Sequence, residues 1–361
     1  MNRNQTIIGI DGGATKISGA IIKQIDENTF SIFREICTTY HSENPLFDLQ
    51  FQPVNLKIQN KEAIDPKLKI SEEKQGLAIL ENFEKIITDI IGNLKGIKPL
   101  IGVGIPGIKS DDKRGINVVN NGPRIPRFLD VLEHRLTLNG LKFHPIEKLE
   151  NDSNCCGLGE LFGESGSFRD IKNGVFLGSG TGISDAILLN ETLVSFDDIE
   201  SWMPKTWQLK NEKGVPVESI ISYKGLINQY SELIGIPFSK LVNDKIFPEQ
   251  FLKSKIAQVI KSKFISTVAH LILQRIESLF SKFPNYHFDK IVLGLRFVPL
   301  FNEIPDLLDS IKNTVKKMII NSSILNQVSK IHYLENNTIV LSNLPDAPVI
   351  GAGVSAYFND Q

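Results

Sequence analysis

Two segments rich in glycine and threonine contain the residue types that bind phosphate. Residues 12–22, GGATKISGAII, and residues 178–188, GSGTGISDAIL, align without a gap, and Thr, Ile, Ser, Ala and Ile recur in register. Glycine permits positive φ angles and close backbone approach, and successive N–H groups can form a concave site for anionic oxygens. The repeat predicts a duplicated domain whose two turns face each other and hold a triphosphate. The alternative is that each segment is an ordinary hairpin whose glycines serve only turn geometry. That alternative explains either segment alone more readily than it explains both segments in register.

A carboxylate that could move a proton stands at Asp152, within the stretch ENDSNCCGLGE of residues 150–160. Residues 153–162 are predicted to form a helix with Asp152 or Ser153 as its N-cap. A carboxylate beside an attacking hydroxyl can accept its proton, and a helix N-terminus stabilises the ionised form by roughly 0.3–1 kcal/mol. Asp152 is therefore either a general base or only a helix cap.

Hydrophobic periodicity places these segments among interleaved strands and helices. The predicted strands span residues 7–10, 17–22, 30–38, 100–105, 175–178, 183–189, 290–293 and 338–342. The predicted helices span residues 77–94, 153–162, 251–282, 304–320 and 351–358, and residues 41–75 are predicted to be a long surface insertion. Strands mixed with helices through both halves indicate an α/β architecture.

Composition indicates a globular protein of two domains in a reducing compartment. The 361 residues are 41% hydrophobic and 22% charged with a net charge of −1, so neither nucleic acid nor a membrane is an expected partner. Three cysteines, two of them adjacent, give no disulfide framework. We expect a cytoplasmic protein, because the N-terminus lacks the features of a signal peptide and no apolar run is long enough to span a bilayer.

Several familiar motifs are absent or misplaced. Residues 102–107, GVGIPG, match the dinucleotide fingerprint, but the following residues read as a polar turn and not as the helix that the fingerprint requires. The chain has no P-loop sequence and no H-E-x-x-H zinc motif. We therefore reject a Rossmann site, a P-loop site and a metalloprotease site.

The ordered set of motifs resembles the ROK family of sugar kinases. The matching segments are residues 11–16, DGGATK; 102–107, GVGIPG; 121–123, NGP; 150–160, ENDSNCCGLGE; 180–183, GTGI; and 291–294, IVLG. The resemblance covers nearly the whole chain. It implies the α/β, two-lobed actin-like ATPase fold, which is ribonuclease H-like with duplicated mixed-sheet domains. It also implies an ATP cleft between the lobes, Mg²⁺ on the phosphates, and phosphorylation of a hexose or amino-hexose hydroxyl.

The resemblance assigns roles to individual residues. Asp152 would be the catalytic base, and the sugar would contact Asn121, Asn151, Glu200 and Glu218. Asp11 would orient Mg²⁺ through water. The nucleotide would contact Asp11, Gly12, Gly13, Thr15, Lys16, Gly180, Thr181, Gly182 and, on the adenosine side, Gly294.

The chain departs from the family pattern at several of these positions. Residues 190–230 contain no Cys or His, so the structural zinc of many members is not expected. The Glu-x-Gly-His element that contacts the sugar is replaced by the segment that begins at Glu200. Ser184 and Asp185 stand where glycines are usual, and Asp185 would repel a phosphate unless it points away or meets a cation. Leu295 and Arg296 replace a Gly-Gly pair, and could narrow the adenine slot or let Arg296 stack on the base.

Two other functions stay open. The same fold could serve as a catalytically weak sugar sensor or regulator, although the family's DNA-binding domain is not seen before the first strand. An activator ATPase of acyl-CoA chemistry would usually need a cysteine-bound cluster, for which three cysteines give no pattern. The lobes are predicted to divide near residue 127, giving lobes of residues 1–127 and 128–349, with residues 350–361 returning to the first. The resemblance also implies a homodimer.

Overall fold

The computed structural model describes residues 5–94 and 96–360, which divide into two compact units. One unit comprises the chain up to Gly166 together with the C-terminal segment from Asp346, and the other comprises Ser167–Pro345. Among the residues described, no helix combines the length and the apolar character needed to cross a membrane.

The strands and helices alternate along the chain. The strands are β1 (Ile7–Gly12), β2 (Lys16–Asp26), β3 (Thr29–Ile32), β4 (Cys37–Tyr40), β5 (Leu100–Gly104), β6 (Ile108–Lys109), β7 (Ile116–Val118), β8 (Leu149–Glu150), β9 (Gly174–Ser179), β10 (Ile183–Leu189), β11 (Thr192–Val194), β12 (Lys290–Leu295) and β13 (Ile339–Leu341). The helices are α1 (Leu56–Lys61), α2 (Ile70–Gly92), α3 (Phe128–Leu138), α4 (Asp152–Phe162), α5 (Phe196–Ile199), α6 (Val217–Ile221), α7 (Tyr223–Ile234), α8 (Phe238–Asn243), α9 (Pro248–Phe251), α10 (Gln258–Lys282), α11 (Phe297–Glu303), α12 (Pro305–Asn321), α13 (Gln327–Glu335) and α14 (Ala347–Asn359).

The first unit is built on a mixed sheet in the order β3-β2-β1-β5-β8, with β4 also paired to β2. Strands β1 and β2 form an antiparallel hairpin, whereas β1 and β5 run parallel. Ile7, Ile8 and Ile10 of β1 are almost fully buried because helices cover both faces of this sheet. The strand is therefore continuously apolar until Asp11, near the edge where the hairpin turns.

Glycines let α4 and α14 approach their neighbours at backbone distance. An ideal Cβ at Gly9 or Gly102 would lie 1.9 or 1.8 Å from a carbonyl oxygen of α14, and one at Gly159 of α4 would lie 2.1 Å from the carbonyl oxygen of Ala347. Real Cβ atoms cannot occupy such positions, so the strands, α4 and α14 pack with almost no side chain between them. This packing fixes the depth at which α4 lies in the unit.

The second unit has a sheet in the order β11-β10-β9-β12-β13. The hairpin β9–β10 is antiparallel and β12 runs parallel to β9, so the central strands have the same pairing pattern as in the first unit. The helix α10 packs against α12, and apolar residues of both helices join the core of the sheet. These elements agree with the predicted duplicated domain.

The division between the units lies later than the predicted position near residue 127. Helix α3 starts there, but its residues Phe128, Leu129 and Leu132 are fully buried in the same apolar cluster as α2. The rings of Phe83 and Phe128 meet edge to face with centroids 4.9 Å apart. The apolar face of α3 therefore keeps it in the first unit, to which α14 also belongs.

The segment predicted as a surface insertion is more ordered than its sequence suggested. It contains α1 and the first turn of α2, which begins at Ile70, seven residues before the predicted start at residue 77. Val54 and Gln59 are buried within it. The apolar period begins late in α2 because Glu72 and Gln75, which are polar, occupy buried positions in its first turns.

Replacing Gly102 by Ala tests the close packing of α14. We expect the free energy of unfolding to fall by about 2–4 kcal/mol, because the new methyl group must displace the backbone of α14. Gly92→Ala is the matched control, since Gly92 ends α2 with no atom within 4 Å of its ideal Cβ. That control should be neutral or stabilising by up to about 1 kcal/mol. Chemical denaturation measures both, and equal stability of the two variants would contradict the packing argument.

Candidate active site

The first candidate phosphate turn leaves two backbone donors unused. Strands β1 and β2 pair as far as Gly12 and Ile17, and the N–H of Gly13 closes the turn by donating to the carbonyl of Lys16 at 2.9 Å. Within the described parts of the chain, the next two N–H groups, those of Ala14 and Thr15, donate to no protein atom. The turn can therefore offer two adjacent amides to an anion.

The second candidate turn repeats this pattern in the other unit. The N–H of Gly180 donates to the carbonyl of Gly182 at 2.8 Å, and the carbonyl of Gly180 accepts the N–H of Tyr223 at 3.0 Å. Among the residues that the structure describes, the N–H groups of Thr181 and Gly182 donate to no protein atom. The sequence repeat thus corresponds to a repeated arrangement of one closing amide and two available amides.

The glycines of the two turns provide space and not an unusual backbone conformation. Glycine permits positive φ angles, but Gly12, Gly13, Gly180 and Gly182 all lie outside the left-handed region. An ideal Cβ at Gly12 would lie 2.4 Å from Cζ of Phe83, and one at Gly182 would lie 2.7 Å from a carboxylate oxygen of Glu218. Close neighbours therefore explain why these two positions carry no side chain.

A buried histidine supports the first turn and was missed in the sequence. Nε2 of His41 lies 3.0 Å from the carbonyl oxygen of Gly13, and Nδ1 lies 3.0 Å from the side-chain nitrogen of Asn82. Because the Asn82 amide donates to Nδ1, Nε2 must carry the proton that is donated to Gly13. Burial lowers the pKa of His41, which favours this neutral form. A single histidine at the end of β4 gave no sequence signal of this role.

Two carboxylates lie in the first unit, and the charge of one affects the pKa of the other. Asp11 stands on β1 between its partners Ser18 of β2 and Gly104 of β5. Burial, and after it the negative charge of Asp152, raise the pKa of Asp11 to about 7, whereas Lys16 acts in the opposite direction. Asp152 and Lys16 of the first unit thus both lie close enough to Asp11 to change its pKa. Paired carboxylates of this kind favour a nearby cation.

The helix that carries Asp152 starts one residue earlier than the predicted cap position. Asn151 is the N-cap, with extended angles of φ −73° and ψ 138°, and Asp152 is already the first helical residue. The expectation that Asp152 or Ser153 caps the helix is therefore wrong. At the first helical position the carboxylate lies within the favourable part of the helix dipole.

Glu150 organises the start of α4 and was quoted in the sequence motif without a role. One of its oxygens accepts from the backbone N–H of Asn151 and from the Asn154 amide, each at 3.0 Å, and the other accepts from the Ser355 hydroxyl at 3.2 Å. These contacts join the start of α4 to α14. They fix the positions of Asn151 and Asp152, the residues that the resemblance assigns to the sugar and to the proton transfer.

The segment between β7 and α3, which carries the predicted sugar contact Asn121, is held by the insertion. The side-chain amide of Gln59 accepts from the N–H of Val119 at 2.8 Å and donates to its carbonyl at 3.0 Å. The Asn117 amide donates to the carbonyl of Ala63 at 2.7 Å. Asn121 itself is exposed. Sequence reasoning could not assign this role to the insertion, because one buried glutamine in a polar stretch has no recognisable pattern.

A buried ion pair between Arg124 and Glu72 adds to these contacts between the insertion and the segment before α3, which together we call the clamp. Arg124 donates to both oxygens of Glu72 at 2.9 and 2.8 Å, to Glu62 at 2.6 Å and to the carbonyl of Lys67 at 3.0 Å. The side chains of Arg124 and Glu72 are each 1% exposed. The two-pronged contact satisfies both ions, as a buried pair requires.

The two glutamates predicted to bind sugar have other partners. Glu218 accepts the N–H of Ile183 at 3.0 Å and thereby supports the second turn. Glu200 is exposed and accepts a hydrogen bond from the Gln208 amide. Glu218 thus lies beside Gly180, Thr181 and Gly182, whereas Glu200 lies on the segment after α5.

The carboxylate of Asp185 is turned into the core, which removes the expected conflict with phosphate. Its two oxygens accept from the N–H and the hydroxyl of Thr206, each at 2.6 Å. The guanidinium of Arg275, which is fully buried, lies 3.5 Å away and also donates to the carbonyl of Pro204 at 2.6 Å. Asp185 therefore meets a cation and a backbone donor, so it is a structural residue.

The predicted adenosine side is formed by the end of β12. Gly294 pairs with Gly178 of β9, and an ideal Cβ there would lie 2.2 Å from Cε2 of Phe176. Leu295 has a φ of +55°, the left-handed region that a leucine rarely adopts. The guanidinium of Arg296 lies 5.0 Å from the ring centre of Tyr223. The stacking suggested for Arg296 thus occurs on a tyrosine of its own unit.

Comparisons with known proteins identify the fold. No family model matches the sequence, and no curated protein matches it. The structure is similar to a ROK hexokinase from Thermus thermophilus, at 16% identity, a TM-score of 0.56 and 99% coverage of both chains. It is also similar to a ROK family glucokinase from Streptomyces griseus, solved with glucose and AMPPNP, at 15% identity, a TM-score of 0.61 and coverage of 98% and 99%.

A third similar structure belongs to a different functional class. It is a ROK family transcriptional regulator, a homolog of the E. coli MLC protein, at 14% identity and a TM-score of 0.58. The likeness covers 98% of this chain and 80% of the regulator. At these identities the similarities show the fold, and they confirm the predicted α/β actin-like ATPase fold of the ROK sugar kinases.

Replacing Arg124 by Met tests the clamp. We expect a loss of about 3–5 kcal/mol in the free energy of unfolding, because Glu72 is left buried and unpaired. Arg124→Met combined with Glu72→Leu should recover most of the loss, because an apolar pair can replace a buried ion pair. Arg127→Met is the control, since Arg127 is 78% exposed, and should change stability by less than about 0.5 kcal/mol. A double variant as unstable as Arg124→Met would refute this explanation.

The raised pKa of Asp11 predicts a pH-dependent effect of Asp11→Asn. The pKa rises from 3.8 to about 7 on folding, so the wild type loses stability as the pH increases through this range, because the ionised form is disfavoured. The Asn variant lacks this loss. Its melting temperature relative to the wild type should therefore increase between about pH 5 and about pH 8. Asp306→Asn, at an exposed first turn of α12, should show no such trend, and a flat difference for Asp11→Asn would contradict the coupling.

Proposed function

We propose that this protein is an ATP-dependent sugar kinase that transfers the γ-phosphoryl group of ATP to a hydroxyl of a hexose or amino-hexose. The observation that carries the proposal is a turn with two available amides next to Asp11, whose pKa is raised in part by the charge of Asp152. Such a group could bind phosphate and a cation and accept a proton in one place. The fold that the chain shares with ROK sugar kinases supports the same function.

The two turns are suited to phosphate oxygens. Each offers two neighbouring N–H groups and a threonine hydroxyl, at Thr15 and Thr181, and Lys16 adds a positive charge at the first turn. Phosphoryl transfer depends on positioning and on neutralising charge more than on covalent chemistry. Fixed backbone donors meet this requirement because they need no reorganisation during the reaction.

The residues around Asp11 fit a magnesium ion that is held mainly through water. Burial and Asp152 raise the pKa of Asp11 to about 7, so a nearby cation would favour the ionised carboxylate. Asp11 would hold Mg²⁺ through water, as magnesium usually keeps several waters and few carboxylates. When bound, the ion would neutralise charge on the phosphate oxygens.

Asp152 would carry the proton step. As the acceptor hydroxyl oxygen bonds to the γ-phosphorus and the bond to ADP breaks, the carboxylate would accept the hydroxyl proton. Its position at the first residue of α4 favours the ionised form before the reaction. The adjacent Asn151 and the exposed Asn121 would hydrogen-bond the sugar, with Glu200 as a further contact. Glu218 would mainly support the second turn by accepting the N–H of Ile183.

A catalytically weak sugar sensor is the second candidate. Two observations favour it: the bulky Leu295 and Arg296 stand on the proposed adenosine side, and a ROK transcriptional regulator has a similar structure. A sensor would bind sugar without rapid phosphoryl transfer. The two functions therefore differ in turnover and not in fold.

Asp152→Asn tests the proposed base. We expect turnover to fall by at least about 100-fold, since the amide cannot accept the proton, while the melting temperature and the stabilisation by ATP stay close to those of the wild type. ADP release is measured with a panel of hexoses and N-acetylhexosamines. Asp306→Asn is the matched control, because it also removes a carboxylate from a first helical turn, and should keep full activity.

The same assay separates the two candidate functions. A wild type that releases ADP only with a sugar is a kinase. A wild type that is stabilised against heat by a sugar but releases no ADP favours the sensor. Turnover of Asp152→Asn equal to that of the wild type would remove Asp152 from the proposed role.

A further inference from the structure

The ammonium group of Lys109 joins three oxygen atoms beside Asp152. Its Nζ lies 2.7 Å from the carbonyl oxygen of Ile105, 2.8 Å from that of Gly107 and 2.9 Å from Oδ1 of Asn151. A lysine ammonium has three N–H donors, and here there is one for each oxygen. Lys109 therefore links the turn after β5 to the residue that precedes the proposed base.

This contact fixes the direction of the Asn151 amide. An ammonium group only donates, so Oδ1 and not Nδ2 must face Lys109. The planar amide then directs Nδ2 away from Lys109, and in the described part of the chain Nδ2 donates to no protein atom. Asn151 is thus held as a hydrogen-bond donor next to Asp152.

The side-chain oxygen of Asn151 does not cap α4, although Asn151 occupies the N-cap position. Asparagine is among the preferred N-cap residues because its oxygen accepts from the first helical N–H groups. Asn151 occupies the N-cap of α4 with suitable extended angles, but its side chain makes no capping hydrogen bond. The contact with Lys109 therefore replaces a capping bond that would direct the amide elsewhere.

Two of these three oxygen atoms, the carbonyl oxygens of Ile105 and Gly107, lie on a rigid turn. Gly107 has a φ of +110°, and an ideal Cβ there would lie 2.8 Å from the carbonyl oxygen of Val118 and 2.9 Å from Cγ2 of Ile116. Only glycine fits this conformation and this space. The carbonyl oxygens of Ile105 and Gly107 are consequently fixed, and they hold the ammonium in place.

We infer that Lys109 is a positioning residue of the acceptor site, which holds Asn151 so that its Nδ2 donates to an oxygen of the acceptor next to the reacting hydroxyl. The acceptor class is a sugar with a hydrogen-bond-accepting hydroxyl or acetamido oxygen at that place. The inference rests on the proposed function. Lys109 acts through Asn151 and does not itself contact the sugar, because its donors face protein oxygens.

A double-mutant cycle separates this role from a purely structural one. D-glucose and N-acetyl-D-mannosamine are the probes, and steady-state kinetics and calorimetry measure kcat, KM and the sugar Kd for Lys109→Met, Asn151→Ala and the double variant. We expect Lys109→Met to lower kcat/KM for the sugar by about 10- to 100-fold, with KM for ATP changed by less than about twofold. In the Asn151→Ala background, Lys109→Met should lower kcat/KM for the sugar by less than about threefold, because the two residues act together.

Control variants keep the result interpretable. Lys142→Met removes an exposed lysine of the same unit and should leave kcat/KM and stability unchanged. Lys109→Arg keeps the charge and several donors, so it should recover part of the loss. Lys109→Leu, which also removes the donor to Asn151, replaces Lys109→Met in the cycle if the latter does not fold.

The outcomes distinguish the two proposals. Multiplicative losses in the cycle, or an equal loss toward ATP and sugar, overturn the role of Lys109 while a wild type active on sugar keeps the proposed function. A wild type that binds sugar without turnover still supports or refutes the inference through the calorimetric Kd values. A wild type that neither binds nor phosphorylates either sugar overturns the proposed function and the inference together.

Discussion

Backbone contact between the sheet of the first unit and the helices α4 and α14 determines where the carboxylates of Asp11 and Asp152 lie. An ideal Cβ at Gly104 would lie 2.6 Å from Sγ of Cys155, and one at Gly351 would lie 1.8 Å from the carbonyl oxygen of the same residue. Because α4 begins at Asp152, the depth of this helix sets the position of that carboxylate relative to Asp11 on β1. A larger residue at Gly104 or Gly351 would displace α4 and, with it, the carboxylate of Asp152.

The two candidate phosphate turns show how one backbone arrangement can be supported in two ways. In each unit one amide closes the turn and the next two point to no protein acceptor among the described residues. The first turn is held through its carbonyl, which accepts a hydrogen bond from the buried His41. The second is held through an N–H that donates to Glu218. The amide pattern is therefore common to the repeat, whereas the supporting side chains are particular to each unit.

The sequence predicted the features that depend on local pattern. The repeat located both turns, and apolar periodicity located the central strands of both sheets and the four longest helices of the described chain. It could not show the roles of Gln59, Arg124 or Lys109, because each depends on a partner in a distant segment. For the same reason the predicted boundary near residue 127 separated α3 from the unit that contains it. Phe128 of α3 packs against Phe83 of α2, which lies more than forty residues earlier in the chain.

The buried contact between Asp185 and Arg275 explains how the second unit orders a segment that contains no Cys or His to bind a structural zinc. Arg275 reaches from α10 to the carbonyl of Pro204 and the hydroxyl of Thr206, while Asp185 of β10 accepts from Thr206. Buried ion pairs add little to stability on balance, and within the described residues Nε of Arg275 has no partner. The main effect of the contact is therefore positional: it attaches the segment that follows Glu200 to the sheet and the long helix, and it turns the charge of Asp185 away from the proposed phosphate turn.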